Sequence, residues 1–341
     1  MKYLFCFCLL FELVSHQVIG QVGGRRSFEF LNLPGNARIS GLGGVNVSNR
    51  DADVNLFLSN PSLLQQEVHQ HISLSHFLFL ADITLSNLTM AYDFEKAGMF
   101  AFGLQYLNYG SFDAYDDTGL EAGQFRANEY AFTIGHSRTT GLFTMGANLK
   151  FANSNIASFQ ARAFLLDIGG LYKHPVEDFT VGLVIKNFGL MAREYISGAA
   201  TTLPFDVQLG TTFKPEFMPF RFSITGYNFY RLGSGPSHSL NGNKEETGSV
   251  NKILNHFAFG TEVLLNKNIN LRAGYNHLIR QELRLEEASG GAGFSLGFLI
   301  RIKAFEFAYS KAFYHVAGGT DYFTLTSNLG TFIKNKKEFK N

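Results

Sequence analysis

From residue 72 onward, large apolar side chains alternate with small or polar ones at a period of two, the spacing of a half-buried β-strand and not of a helix. In the stretch 99–106, Phe100, Phe102, Leu104 and Tyr106 take one face and Met99, Ala101, Gly103 and Gln105 the other. The stretch 142–151 sets Phe143, Met145, Ala147, Leu149 and Phe151 against Leu142, Thr144, Gly146, Asn148 and Lys150. The split recurs at 220–225, 269–276, 293–302 and 305–310. Read this way, the chain predicts fourteen strands: 72–80, 83–93, 98–107, 127–138, 141–153, 157–173, 179–188, 204–213, 219–230, 255–265, 268–276, 289–302, 304–315 and 320–330.

The face opposite the large apolar one is rich in Gly, Ala and Ser, whereas the water-facing side of a soluble β-sandwich favours Lys, Glu and Thr. Small residues suit a lumen, and Phe, Leu and Ile suit lipid. The expected fold is therefore all-β, a transmembrane antiparallel β-barrel of about 14 strands over residues 72–330. The connections support this count. Tight turns at 95–97, 139–140, 174–178, 214–218, 266–268 and 303 interleave with longer outer loops at 108–126, 189–203, 231–254 and 277–288, with short outer hairpins at 81–82, 154–156 and 317–319. An even count places both barrel ends on one side.

The two ends of the chain do not follow this rhythm. Residues 1–20 carry Lys2, an apolar run over 3–14 and Val18-Ile19-Gly20, the pattern of a secretory signal peptide. Cys6 and Cys8 both lie within it, so a chain starting at Gln21 holds no thiol for a disulfide or a metal. Export without a later apolar helix points to the outer membrane of a Gram-negative bacterium. Residues 21–71 combine Arg38 with Gly41, Gly43 and Gly44, then Asp51 and Asp53, then Asn60 and Pro61. Glycine-dense, acidic and Pro-containing turns beside a small-residue lumen predict an N-terminal plug or hatch inside the barrel. Residues 331–341 form a basic C-terminal tail.

Composition sharpens the picture. Charged residues make up 17%, against roughly 25% in soluble domains, while Phe numbers 36, Gly 35 and Trp 0. A formal net charge of +1 excludes binding to nucleic acid through bulk phosphate attraction. Gly293-Phe294-Ser295-Leu296-Gly297 matches a nucleophile elbow but lies within a strand, and Ser249-Val250-Asn251-Lys252 lacks its Lys-Thr-Gly partner motif. His69, His71 and His76 lack a further zinc-supporting shell. Asp113, Asp116, Asp117 and Glu121 lack regular calcium spacing. No catalytic residue, metal ligand or cofactor is expected. Lys150, Lys186, Arg221, Glu262, Arg272, Arg301 and Glu306 face inward, toward the plug, lumen water or a substrate path.

Residues 28–38 (Phe-Glu-Phe-Leu-Asn-Leu-Pro-Gly-Asn-Ala-Arg), the Gly-Leu-Gly-Gly at 41–44, Asp-Ala-Asp-Val-Asn at 51–55 and Asn-Pro-Ser-Leu-Leu at 60–64 together resemble the PorQ family of the type IX secretion system. That family is similar to a wider group of fourteen-stranded barrels that includes FadL-like fatty-acid transporters and PorV. Ser62 stands where the group has Ala, and the basic tail replaces a terminal aromatic. The resemblance implies an outer-membrane barrel of the attachment complex in Bacteroidota. It would hold a PorZ-like surface protein alongside PorU and PorV, so that cargo is processed and joined to lipopolysaccharide. The alternative implied by the wider group is a FadL-like transporter of hydrophobic compounds.

Overall fold

The computed structural model describes residues 26–116, 118–196, 198, 201–231, 249–283, 290–315 and 318–332. The expected signal peptide, most of the loop 231–254 and nearly all of the basic tail lie outside these residues.

Fourteen strands form one sheet: β1 (His71–Leu78), β2 (Thr84–Asp93), β3 (Met99–Tyr115), β4 (Glu121–Thr140), β5 (Phe143–Ile156), β6 (Phe159–Lys173), β7 (Asp178–Arg193), β8 (Asp206–Lys214), β9 (Phe220–Gly226), β10 (Phe257–Leu264), β11 (Ile269–Asn276), β12 (Phe294–Ile302), β13 (Phe305–His315) and β14 (Gly318–Asn328). Each pairs antiparallel with its sequence neighbour. β14 returns to β1, with His71 opposite Asn328 and Leu78 opposite Asp321, so the sheet closes and abolishes its edges. Among the described residues no helix is long and apolar enough to cross a membrane.

The alternation decides which side faces in. Leu74, Leu88, Met90, Phe132, Ile134, Leu149, Phe164 and Leu296 are exposed on the outer wall, while Ser73, Ser75, Thr89, Ala101, Thr133 and Asn148 are buried on the inner one. This inverts a soluble protein, and it suits a wall with lipid outside.

Several boundaries differ from the sequence expectation, for identifiable reasons. Residues 108–126 are not a long loop: β3 and β4 run on as a ribbon in which Ser111 pairs with Arg126 and Tyr115 with Glu121. The polar composition of that stretch reflects a ribbon exposed on both faces, where no buried face imposes an apolar period. Likewise β7 continues to Arg193, and the turns expected at 139–140 and 154–156 sit at Gly141-Leu142 and Ala157-Ser158. Gly141 and Ala157 take positive φ there, 62° and 54°, as tight hairpins require. Two expected outer loops contain short helices, α2 (Ser249–Leu254) and α3 (His277–Leu283), and β12 begins at Phe294 instead of 289.

Residues 26–70 lie inside the ring. At the outer end, where the long connections gather, the Ser27 amide donates to the Thr202 carbonyl; at the other end the Gln70 carbonyl accepts from the Leu329 amide. Between these points the segment touches the wall in every sector. The helix α1 (Ala37–Gly41) packs on β11 to β14, residues 54–58 on β1 to β3, and residues 61–63 on β4 to β6. Val47 and Ser48 meet β7 and β8. Phe28, Phe30 and Leu31 pack against Phe77, Leu85, Leu107 and Leu165 near the outer end. Val54, Phe57, Leu64 and Val68 pack against Ala91, Met99 and Ala101 near the other. Each such side chain contributes about 1.5–3 kcal/mol by burial.

The small inner residues are what make room for this filling. A Cβ added at Gly182 would overlap the Val47 carbonyl oxygen, one at Gly169 the Asn60 side chain, and one at Gly146 the backbone of Pro61 and Ser62.

Candidate functional site

Each turn of the inner segment is fixed by its own side chains. Asn36 caps α1, its Oδ1 accepting from the Ile39 amide at 2.8 Å. Gly43 and Gly44 end that helix at φ of 90° and 86°, conformations available to glycine without strain, and the Gly44 amide reaches back to the Ile39 carbonyl at 3.0 Å. Asp53 caps the 3₁₀ turn Val54–Leu58 through the Asn55 amide at 2.9 Å. Asn60 caps Pro61–Leu63 and donates through Nδ2 to the Val47 carbonyl at 2.8 Å. Gly41 lies against Arg272 and Ser310, and Pro61 lies against Gly146.

These turns deliver Arg38 and Asp51 to a buried charge network on one sector of the wall. Glu262 on β10 is its centre. It accepts from Arg38 Nε at 3.3 Å, Arg272 Nε at 3.0 Å and Arg221 Nε at 2.7 Å, and from Asn49 Nδ2 at 2.8 Å. Asp51 bonds Arg38 and lies 3.1 Å from Arg221 Nη2. Asp53 stands 3.8 Å from Arg38 Nη1. Three guanidinium groups therefore face three carboxylates, with Arg38, Arg272 and Glu262 each at most 3% exposed. Such a set is tolerable at membrane depth because the charges balance and each guanidinium donates to a carboxylate, although Arg38 Nη1 and both Arg272 Nη atoms have no hydrogen-bond partner among the described residues. Burial pushes the Asp51 carboxyl up, but Arg38 and Arg221 outweigh that effect and bring it down to about 2.

A second polar group lies on β5 to β7. Lys150 on β5 pairs with Asp167 on β6 at 2.6 Å and donates to Asn187 Oδ1 at 2.9 Å. β7 bulges here, Asn187 having φ of 57°, so Lys186 and Asn187 both turn inward. Asn187 donates to the Pro204 carbonyl at 3.0 Å and to Asn32 Oδ1 at 3.3 Å, and Asn148 donates to the Phe57 carbonyl at 2.8 Å.

The structure thus brings Arg38, Asp51 and Asp53 together with Arg221, Glu262 and Arg272, and leaves Lys150 and Lys186 in a separate group. Arg301 and Glu306 pair with each other at 2.6 Å near the turn carrying Lys267, and Glu306 also acts electrostatically on Arg38 and Arg272 without hydrogen-bonding either. Ser295 is the second residue of β12 and accepts from the Gly43 amide at 3.2 Å, a contact between wall and plug. Ser249 opens α2. His69 Nδ1 accepts from the Asp93 amide and His76 bonds Ser86, so their rings serve separate contacts. In the outer ribbon Asp113 accepts from Gln124, and Asp116 accepts from the Thr118 and Leu120 amides as a turn carboxylate; Asp117 lies outside the described residues. Sequence reasoning missed Asn49, Asp167 and Asp206. Asp167 was detectable in principle, as a lone carboxylate in the apolar run Phe164-Leu165-Leu166-Asp167-Ile168.

A closed fourteen-stranded antiparallel barrel, apolar outside and filled within, defines the class: the fold is that of the outer-membrane β-barrels of Gram-negative bacteria. No family model matches the sequence, and no curated protein does. Among solved structures the chain is similar to a TodX monoaromatic hydrocarbon channel carrying the deltaS2 mutation, with a TM-score of 0.51 and 14% identity over 87% of this chain and 98% of that one. It also matches a Pseudomonas aeruginosa FadL homologue at a TM-score of 0.47 and 11% identity, covering 86% of this chain and 98% of the other. At such identity the TodX likeness is one of fold.

Proposed function

We propose that this barrel carries small hydrophobic compounds across the outer membrane, with residues 26–70 as the element that yields. The observation that carries the reading is a break in the wall where the plug begins. β7 pairs with β8 only as far as Lys186 and Asp206, yet β7 continues to Arg193 with strand pairing to β6 alone, beyond the Asn187 side-chain bond to the Pro204 carbonyl. Beside that seam the partly buried Met191 and Leu203 pack with the buried Phe28, Phe30 and Leu31 of the plug. The fold likeness to a channel for monoaromatic hydrocarbons agrees with this reading. A plug lock tests it. Ser48 Oγ and Thr212 Oγ1 lie 2.8 Å apart, so cysteines at both positions place two sulfurs within bonding reach. Cells expressing the double variant should take up a labelled monoaromatic hydrocarbon only after reduction. Uptake equal in oxidised and reduced cells would refute the yielding of the plug, and uptake no greater than that of cells lacking the barrel would refute transport.

A second reading has its own support. The ribbon of Tyr109–Tyr115 and Glu121–Arg126 rises past both neighbouring strands, with Phe112, Tyr115 and Leu120 exposed. Together with the residues resembling the PorQ family, this favours an anchor in a type IX attachment complex, binding a PorZ-like protein with PorU and PorV at the lipopolysaccharide surface of a Bacteroidota cell. Affinity capture from detergent-solubilised outer membranes separates the two: recovery of a PorZ-like protein, lost when the ribbon is removed, supports the anchor, and recovery of the barrel without it refutes it.

A further inference from the structure

We propose that a cavity between the plug and β3, β7 and β8 is a binding site for a small monovalent anion, held by the Lys186 ammonium. Lys186 is 7% exposed and makes no hydrogen bond or ion pair with any described residue, although it carries a charge that burial makes costly to leave alone. The nearby carboxylates are already engaged. Asp167 is taken by Lys150 at 2.6 Å and by the Asn187 amide at 2.8 Å. Asp206 accepts from Gln208 Nε2 at 2.7 Å and from the Asn228 amide at 2.8 Å.

Lys186 lines a cavity with Asn46, Gln105, Gln208, Leu31 and Leu58, and no carboxylate is among the lining residues. Asn46 is 1% exposed, and its Nδ2 is a buried donor without a partner, because Oδ1 alone is used, accepting from the Ser48 and Asn49 amides. Gln105 is 4% exposed and has no side-chain partner among the described residues. An ammonium and an unpaired amide N–H therefore border one space. Its volume, about 20 Å³, is room for one or two waters and far too little for an acyl chain or an aromatic ring. The chemistry that fits is a halide or a formate-sized carboxylate, a point charge accepting from the ammonium and from amide N–H groups.

The site borders β3, β7 and β8, whereas the Glu262 network lies on β9 to β11. An anion there would fasten residues 31–46 to β7 and β8 as Glu262 fastens Arg38 to β10. This consequence is independent of what the barrel transports or anchors.

Two measurements test the site. In the first, the purified full barrel in detergent is melted in sodium chloride, sodium formate or sodium gluconate at equal ionic strength. Chloride or formate should raise the midpoint by roughly 2–4 °C over gluconate, and the shift should vanish in Lys186→Met. Whichever of the two anions gives the larger rise identifies the occupant's class. In the second, crystals of the unaltered protein grown with bromide should show anomalous density beside Lys186 and Asn46. The absence of an anion-specific shift, a shift of equal size in Lys186→Met, or bromide found only elsewhere would overturn the proposal. If Lys186→Met does not fold, the bromide density decides alone.

Discussion

Two runs of five strands, a long half (β3 to β7) and a short half (β8 to β12) of the ten strands compared, hold the same plug by different means. Strands β3 to β7 run 14–20 residues, whereas β8 to β12 run 7–9. A strand needs about 9–11 residues to cross a bilayer, so the long half overshoots and the short half lies at or below that length. The long half meets the plug through neutral contacts: glycines under Pro61 and Val47, the Asn148 amide on the Phe57 carbonyl, and Thr180 Oγ1 on the Ser48 carbonyl at 2.6 Å. Its Lys150–Asp167 pair joins two strands and no plug residue. On the short half, Arg221, Glu262 and Arg272 receive Arg38 and Asp51 directly. Height and grip are thus separated: the long side builds surface above the membrane, and the short side carries the charged fastening.

The sharpest way to break this comparison is to remove one charge from each half. Glu262→Gln leaves three guanidinium groups facing two carboxylates and should cost about 3–5 kcal/mol. A Ser62→Cys reporter, in a chain expressed without residues 1–20, follows the plug, since Ser62 is fully buried. At about 1.4 kcal/mol per tenfold change, maleimide labelling of Cys at 62 should quicken a hundredfold or more. Lys150→Met should lower the melting midpoint yet change labelling less than about threefold. Equal labelling in the two variants would show that the short half has no special hold.

How far this asymmetry was legible in the sequence depends on the element. The period-two runs disclosed the strand number and the side each residue faces, because lipid outside and a crowded lumen inside impose opposite demands on alternate positions. Lys150, Lys186, Arg221, Glu262 and Arg272 read as inward for the same reason. The ribbon at 108–126 did not read as strand: with solvent on both sides, Asp113, Gln124 and Arg126 are as acceptable as Phe112. Nor could spacing show that Arg38 meets Glu262, 224 residues away. That contact depends on register around a closed ring and on where Gly43 and Gly44 turn the chain. The β7 bulge was equally hidden, since Lys186-Asn187 looks like ordinary alternation until Asn187 takes its positive φ.

A milder probe of the long half is Gly182→Val. Its side chain would press on the Val47 carbonyl, and overpacking of this kind costs typically 1–3 kcal/mol. Labelling of Cys at 62 should rise about tenfold by the same conversion, while Gly170→Val, with nothing near its Cβ, should leave it unchanged. Equal behaviour of the two would mean that the plug does not depend on close approach to this wall.

Smaller again is the effect of acid on the short half. Asp51 sits on the plug, its folded value of about 2 lying below the ordinary 3.8. A lowered carboxylate stabilises the fold above its unfolded value, and that contribution fades as pH falls from about 3.8 toward 2. The melting midpoint of the unaltered protein should therefore drop more between pH 5 and pH 2 than that of Asp51→Asn. Parallel curves would remove Asp51 from the fastening.

Least of all should the plug feel the loss of the ribbon. Residues 110–115 and 121–126 pair with each other, and beyond that only the Arg126 carbonyl accepts a backbone hydrogen bond, from the Ala157 amide at 3.2 Å, because β2 stops opposite Asn108 and β5 opposite Ala127. Tyr109 stays, since its hydroxyl donates to Glu129 Oε2 at 2.6 Å and its ring packs near the plug. Replacing 110–126 with Asn-Gly, a turn suited to a two-residue hairpin, should move stability by no more than about 0.5 kcal/mol and leave labelling of Cys at 62 unchanged. The same variant should lose any partner that the exposed Phe112, Tyr115 and Leu120 recruit. Retained plug with lost capture would assign the height of the long half to recognition. A loosened plug would mean that the tall wall also bears on the lumen, and the separation of height from grip would fail.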